Sequence, residues 1–255
     1  MAGGKRVAVF ADADGELQAR AAAAGVPLSV FIQEITPTSV SLRVFTPARE
    51  KGESDSASIA ALNYAQEHGL NADFAEVITG ESSAPAQFCG GEWLLNQGVV
   101  SVQDVQADIS PLGLKVTGAT HTASTARPNL VIEVHDLDAL DAFQPNSDTI
   151  SPVNQTTGTT GLILYTLHAP AEGPQRRADV SYRCFGPLKG FLEDAASSNM
   201  LACLTGVLLQ RKVLNPAENL IRAAQRKPGT PATLTVQYGT LQDAIWVGGA
   251  ITKTL

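Results

Sequence analysis

Aromatic residues make up only 5% of this 255-residue chain, and it has three cysteines, two methionines and four histidines. Cys89, Cys184 and Cys203 are odd in number, far apart and free of any C-x-x-C pair. That argues against a disulfide framework or a zinc ribbon and fits a reducing compartment. His68, His121, His135 and His168 show no metal-ligand spacing, so no histidine metal site is expected. Basic character is missing too: 18 Lys and Arg stand against 25 Asp and Glu, a formal charge of -7, with no Lys/Arg cluster interleaved with aromatics. Such a surface repels phosphate backbones, so nucleic acid is not an expected partner. No apolar run approaches the roughly 18 to 20 residues needed to cross a bilayer, and MAGGKRVAVF lacks the apolar core and cleavage site of a secretory signal. The expectation is a protein without membrane contact, located in the cytoplasm.

What is present is a globular composition, 44% hydrophobic and 17% charged, in a chain long enough for two domains. β-rich runs alternate with Ala-rich segments. VAVFAD, LSVFIQE and VSLRVFTP read as strands, the last two as antiparallel neighbours, with ELQARAAAAG as a helix closed by Gly25. ASIAALNYAQEHG has helical spacing and a Gly69 stop. In the second half LKVTGATH, NLVIEV, GLILYTLHA, ADVSYRCFGP, TLTVQYG and DAIWVGGAITKTL read as strands, DLDALDAF and AASSNMLACLTGVLLQRK as helices, and LKGFLED as a polar connection.

LRVFTPAREKGESDSASIAAL and SYRCFGPLKGFLEDAASSNML share one order: strand, Phe-x-Pro, acidic loop, then a helix opening in small residues. This order reads as an internal repeat. Both helices lack a charged face, and a helix apolar all round is enclosed by other elements. The expected fold class is therefore α+β: two similar domains, each a curled mixed β-sheet or barrel around a central apolar helix, with a cleft between them. The boundaries are placed at 1–100 and 101–255, with the last strand, about 244–252, crossing back to the first domain. The N-termini of the two helices then converge on the cleft and supply N–H donors for a carboxylate.

Glu193 and Asp194 stand at the mouth of the second helix. Asp194 is either an N-cap, which Asp suits well, or a functional acid. Here the residues resemble a known family. VAVFADADG, AGVPLSVF, LRVFTP, ARPNLVIEVHDLDAL and above all CFGPLKGFLEDAASS are similar, in the same order, to the phenazine-biosynthesis PhzF-like family, related in fold to diaminopimelate epimerase.

The resemblance implies a cofactor-independent isomerase or epimerase, often a homodimer, acting on a small carboxylic-acid or amino-acid-like metabolite. It makes Asp194 the candidate catalytic acid, and Ser56, Ala57 and Ser58 with Ser197, Ser198 and Asn199 the substrate-binding helix starts. Enclosure suits such an acid, because proton abstraction from carbon near neutral pH needs a desolvated carboxylate and preorganised donors for the developing charge.

Departures from the family pattern set up the alternative. Leu28 stands where the family has its main proton-transfer glutamate, and Ser56 where it has a histidine. Leucine moves no proton. Either Asp194 works alone or with a partner such as Glu53 or Asp55, or the protein is a catalytically impaired relative that only binds a small carboxylate. A third reading is a scaffold that binds another protein. Glu34, at an even offset along the same strand, shares Leu28's face but lies roughly 20 Å away. TTGTTG, Thr156 to Gly161, lacks the spacing of a phosphate loop and reads as a turn.

Overall fold

The computed structural model describes residues 3–168, 171–172, 176–215, 217–239 and 244–253. The chain is α+β, rich in strands and poor in helices. Its contacts divide it into two compact units, one of residues 5–96 with 248–253 and the other of residues 97–247 with 3–4.

The N-terminal unit runs β1 (Val7–Phe10), α1 (Leu17–Ala23), β2 (Leu28–Ile35), β3 (Ser39–Phe45), α2 (Asp55–Gln66), β4 (Phe74–Thr79), β5 (Ser82–Cys89) and β6 (Glu92–Asn96). The six strands lie in sequence order. β1 and β2 are parallel, as are β3 and β4, and the other neighbours are antiparallel, so the sheet is mixed. α2 touches β1, β2 and β3 and also β6 at the far end of the order, which requires the sheet to curl around the helix. Its buried residues include Ala57, Ala60, Ala61 and Ala65, whose small side chains let the strands close in.

β5 was not foreseen, because Pro85 within SSAPAQFC argues against a strand. The relation between Glu34 and Leu28 also needs correction. The β2–β3 register shifts between Ile32 and Glu34. Beyond that bulge Ile35 joins the core shared by Leu28, Val30 and Ile32, whereas Glu34 is exposed. A bulge inserts a residue and so reverses the parity on which the even-offset argument relied.

The C-terminal unit runs β7 (Ser101–Val105), β8 (Thr120–Ser124), β9 (Asn129–Glu133), α3 (Leu137–Ala142), α4 (Ser147–Thr156), β10 (Gly161–Thr166), β11 (Ala171–Glu172), β12 (Arg176–Arg177), β13 (Val180–Gly186), β14 (Phe191–Asp194), α5 (Ser198–Gln210), β15 (Leu220–Gln225), β16 (Ala232–Gln237) and β17 (Trp246–Gly248). The order is β17-β16-β15-β13-β10-β9-β8-β7, with β14 added on β13, and β11 and β12 pair separately. Every residue of α5 from Met200 to Leu208 is buried, and the helix touches β7, β8 and β9 as well as β16. This sheet too bends around its helix. Gly206 allows the close approach, since a Cβ there would stand 2.6 Å from the Val100 side chain. The opposite face of β9, β10 and β13 packs Leu130, Ile132, Leu162, Leu164 and Phe185 against Leu140 and Phe143 from the α3 region and Ile150 and Val153 from α4.

Three expectations change here. LKGFLED is not a plain connection, because it contains β14. The long helix starts at Ser198 and not at Ala195, because Ala196 has a φ of +50°, outside the helical region. LKVTGATH becomes a strand only from Thr120, with Val116 making a single bridge to Val134. α4 was missed because Pro152 lies inside it and its sequence is polar, although Asn146 caps it by accepting the N–H of Asp148 at 2.8 Å. β15 was missed as well.

Candidate functional site

Two neighbouring acids are sent to opposite faces by strand alternation. In β14, Asp194 lies directly opposite Cys184, and Glu193 directly opposite Phe185. Directly opposed residues share a face. Cys184 belongs to the core around α5 and Phe185 to the core against α3 and α4. Glu193 therefore turns away from α5. It accepts Arg183 Nε at 2.7 Å and Nη2 at 2.9 Å, while Arg183 Nη1 donates to the carbonyls of Leu140 and Phe143 at 2.8 and 2.7 Å. Arg183 is 1% exposed, so this pair is structural.

Asp194 turns toward α5. It is not the N-cap of that helix, which is Ser197, three positions further on. Its Oδ1 accepts the Ala195 N–H at 2.9 Å. The connection to α5 is stapled by Gln225, 1% exposed, whose Nε2 donates to the Asp194 carbonyl and whose Oε1 accepts the Ser197 N–H at 2.7 Å. No motif pointed to Gln225; only the fold brings β15 beside this turn.

At the start of α5, Ser197 offers no side-chain cap, and the backbone N–H groups of Ser198, Asn199 and Met200 have no acceptor among the described residues. These donors carry the positive end of the helix dipole. Ser198 is buried, and Asn199 Nδ2 donates to Thr125 Oγ1. Of the expected residues, Asp194, Ser197, Ser198 and Asn199 thus lie on one short connection in one unit.

Behind the connection is a buried polar cluster that sequence reading overlooked. Asn129, fully buried at the start of β9, accepts Lys189 Nζ at 2.7 Å and donates to the Arg127 carbonyl at 3.0 Å and to Cys203 Sγ at 3.3 Å. Burial pushes the Cys184 and Cys203 thiols up, with Asp194 adding to the effect at Cys184. Both therefore stay neutral at physiological pH. Tyr182 is held up in the same way by burial, then by Cys184 and Asp194, and its hydroxyl has no hydrogen-bond partner among the described residues. Burial lowers the Lys189 ammonium.

Ser56, Ala57 and Ser58 belong to the first turn of α2, where Ser54 is the N-cap and makes no side-chain cap bond. Ser58 N–H already bonds the Ser54 carbonyl at 2.9 Å. Leu28 is 4% exposed and shares an apolar core with Val30, Ile32 and Ala57. This unit has its own arginine clamp: Arg43 Nε and Nη2 donate to the two carboxylate oxygens of Glu50 at 2.8 and 2.7 Å. The pair holds Glu50 below, and Arg43 above, the usual range.

Two surface depressions in the C-terminal unit lie elsewhere. One is lined by Ser101, Gln103, Thr122 and Pro128, the other by Asp104, Val105, Ile109 and Val116; Asp194 lines neither. Neither includes the start of α5, so the β14–α5 connection is marked as the candidate site by its chemistry and not by a depression. Among the described residues no group of three or more His, Cys, Asp or Glu is arranged to hold a metal ion, and no helix is long and apolar enough to cross a membrane.

No protein-family model and no curated protein sequence matches the chain. Solved structures do. A phenazine biosynthesis protein of the PhzF family from Bacillus anthracis superposes with a TM-score of 0.75 at 16% identity, covering 96% of this chain and 89% of that one. A predicted epimerase from Pseudomonas aeruginosa gives 0.66 at 19% identity over 97% and 90%. A hydroxyproline epimerase from Agrobacterium vitis, with bound trans-4-hydroxy-L-proline, gives 0.52 at 12% identity over 89% and 72%. The chain has the fold of PhzF-family structures across nearly its whole length.

Proposed function

We propose that this protein is a cofactor-independent isomerase or epimerase that moves a proton at carbon in a small carboxylic-acid or amino-acid-like substrate, with Asp194 as the proton-transfer group. One observation carries the reading: β14 commits Glu193 to Arg183 and leaves Asp194 on the α5 face, beside helix-start donors without acceptors. In this reading Asp194 takes the proton as the C–H bond breaks, the electron pair passes into the adjoining carboxylate, and a proton that has exchanged with solvent returns to carbon to form the new C–H bond. The N–H groups of Ser198 and Asn199 then stabilise the developing oxyanion. At the start of α2 the expected residues Ser56 and Ala57 offer N–H donors, whereas that of Ser58 is already taken by the Ser54 carbonyl. The proline-type ligand in the Agrobacterium epimerase supports the substrate class, as an analogy of fold. A cytoplasmic homodimer belongs to the same reading.

The test is incorporation of deuterium from D₂O at carbon in a panel of small carboxylic and amino acids, read by mass spectrometry. Asp194→Asn keeps the bond to Ala195 and should fold normally while losing exchange by at least 10²-fold. An undiminished rate removes Asp194 from the chemistry. Buried Leu28, at the position where the resemblance expects a glutamate, favours a second reading, in which a carboxylate is bound but not turned over. That reading requires thermal stabilisation by the acid with no deuterium gained.

A further inference from the structure

The Asn129 cluster holds two cations and too few anions. The fully buried Asn129 carboxamide bonds the ammonium of Lys189 and the main-chain carbonyl of Arg127, fixing that ammonium and the Arg127 backbone beside one another. Room for the ammonium is reserved by Gly161, where a Cβ would lie 3.0 Å from Lys189 Nζ and 2.5 Å from Asn129 Oδ1. The only hydrogen-bond acceptor of Lys189 among the described residues is this neutral amide. The Arg127 guanidinium is exposed and makes no hydrogen bond or ion pair with any described residue.

The thiols of Cys184 and Cys203 also face Lys189, but both are neutral, so they provide no counter-charge. Arg127 repels Lys189 and Asp194 attracts it. Among the described residues two cations and one carboxylate leave the cluster positive, in a protein whose formal charge is -7. Like charges gathered without a counter-ion are unfavourable unless an anion joins them.

We propose that the Lys189 ammonium and the guanidinium of Arg127, whose backbone Asn129 holds beside that ammonium, seat a second acidic group of the substrate, so that the substrate is a dicarboxylate or a carboxylate carrying another oxyanion. The inference rests on the proposed proton transfer at Asp194 and adds the substrate's charge. Lys189 gives a partly desolvated point charge, and Arg127 gives a planar donor fork suited to a carboxylate.

The experiment titrates the full-length protein, by ligand-observed NMR at low ionic strength, with malonate, succinate and glutarate and with their methyl half-esters. At least one diacid should bind about tenfold tighter than its half-ester, which corresponds to about 1.4 kcal/mol. Lys189→Met and Arg127→Gln should each abolish that preference, while Arg127→Lys should keep it. Arg127 is exposed, so its variants fold even if Lys189→Met does not. A wild type without the preference, or a preference that survives Arg127→Gln, overturns the proposal. Asp194→Asn should retain the preference while losing exchange. Preference without exchange in the wild type would defeat only the proton-transfer reading, and exchange without preference only this one.

Discussion

Arg183 and Glu193 face each other across β13 and β14 as a planar fork on a carboxylate, and Arg43 and Glu50 repeat the arrangement in the other unit. Each arginine stands two residues before a Phe-x-Pro and lies over the ring of its own phenylalanine, Arg183 at 5.0 Å from Phe185 and Arg43 at 5.1 Å from Phe45. Each glutamate lies on a return segment that pairs with that phenylalanine. The motif is thus Arg-x-Phe-x-Pro followed by a glutamate clamp. It accounts for the structural role of one acid of the Glu193–Asp194 pair, Glu193.

The two clamps should differ sharply in worth. Arg183 is 1% exposed, so Glu193→Gln strands a buried guanidinium and should cost about 3 to 5 kcal/mol in urea denaturation. Arg43 and Glu50 have side chains 40% and 45% exposed, and Glu50→Gln should cost about 0 to 1 kcal/mol. Equal losses would contradict the assignment of Glu193 to structure.

Leu28→Glu places an unpaired carboxyl in the core formed by Val30, Ile32 and Ala57. We expect a loss of about 3 kcal/mol or more in equilibrium unfolding, and about 1 kcal/mol for Leu28→Met. A Leu28→Glu protein as stable as the parent, with new turnover, would instead mark the position as a vacated carboxylate site.

Alkaline pH should loosen the end of α5. Arg211 donates to Glu133 at 2.5 Å and to the Tyr165 hydroxyl, and burial, followed by the Glu133 charge, pushes Tyr165 up to about 12. With an unfolded value near 10, the folded state holds the proton more tightly between about pH 10 and 12. The unfolded state then binds fewer protons, so stability falls as pH rises through that window. Tyr165→Phe should flatten the fall in a series of urea midpoints, leaving the share due to Tyr182 and Tyr238, which are also raised.

Ala196 has a φ of +50° just before α5. Ala196→Gly should relieve the left-handed backbone and raise stability by about 0.5 to 1 kcal/mol in thermal unfolding. A destabilised variant would show that the methyl group's packing against the α5 core outweighs the strain.

Much of this fold was legible because it rests on local signals. Alternating and β-branched runs gave β2, β3, β10 and β13, glycines at 25 and 69 ended helices, and α2 and α5, with almost no charged face, announced helices wrapped by sheets. β5 and α4 stayed hidden because each contains a proline that tertiary packing tolerates. The candidate site was half legible. EDAASS located Asp194, but separating its role from that of Glu193 needed the β13–β14 register, and Gln225 and Asn129 come from strands whose contacts with the site are long-range. The bulge after Ile32 defeated a parity argument for the same reason, since no residue type in Ile-Gln-Glu announces it.

The register of β14 has an evolutionary edge to it. Because neighbouring side chains on a strand look opposite ways, a one-residue insertion or deletion after Gly190 would hand the guanidinium of Arg183 to the aspartate and swing the glutamate toward the helix. A lineage could thereby exchange a short acid for a longer one on the helix-facing side without replacing either letter, and a length change in this hairpin would deserve the same scrutiny as a substitution.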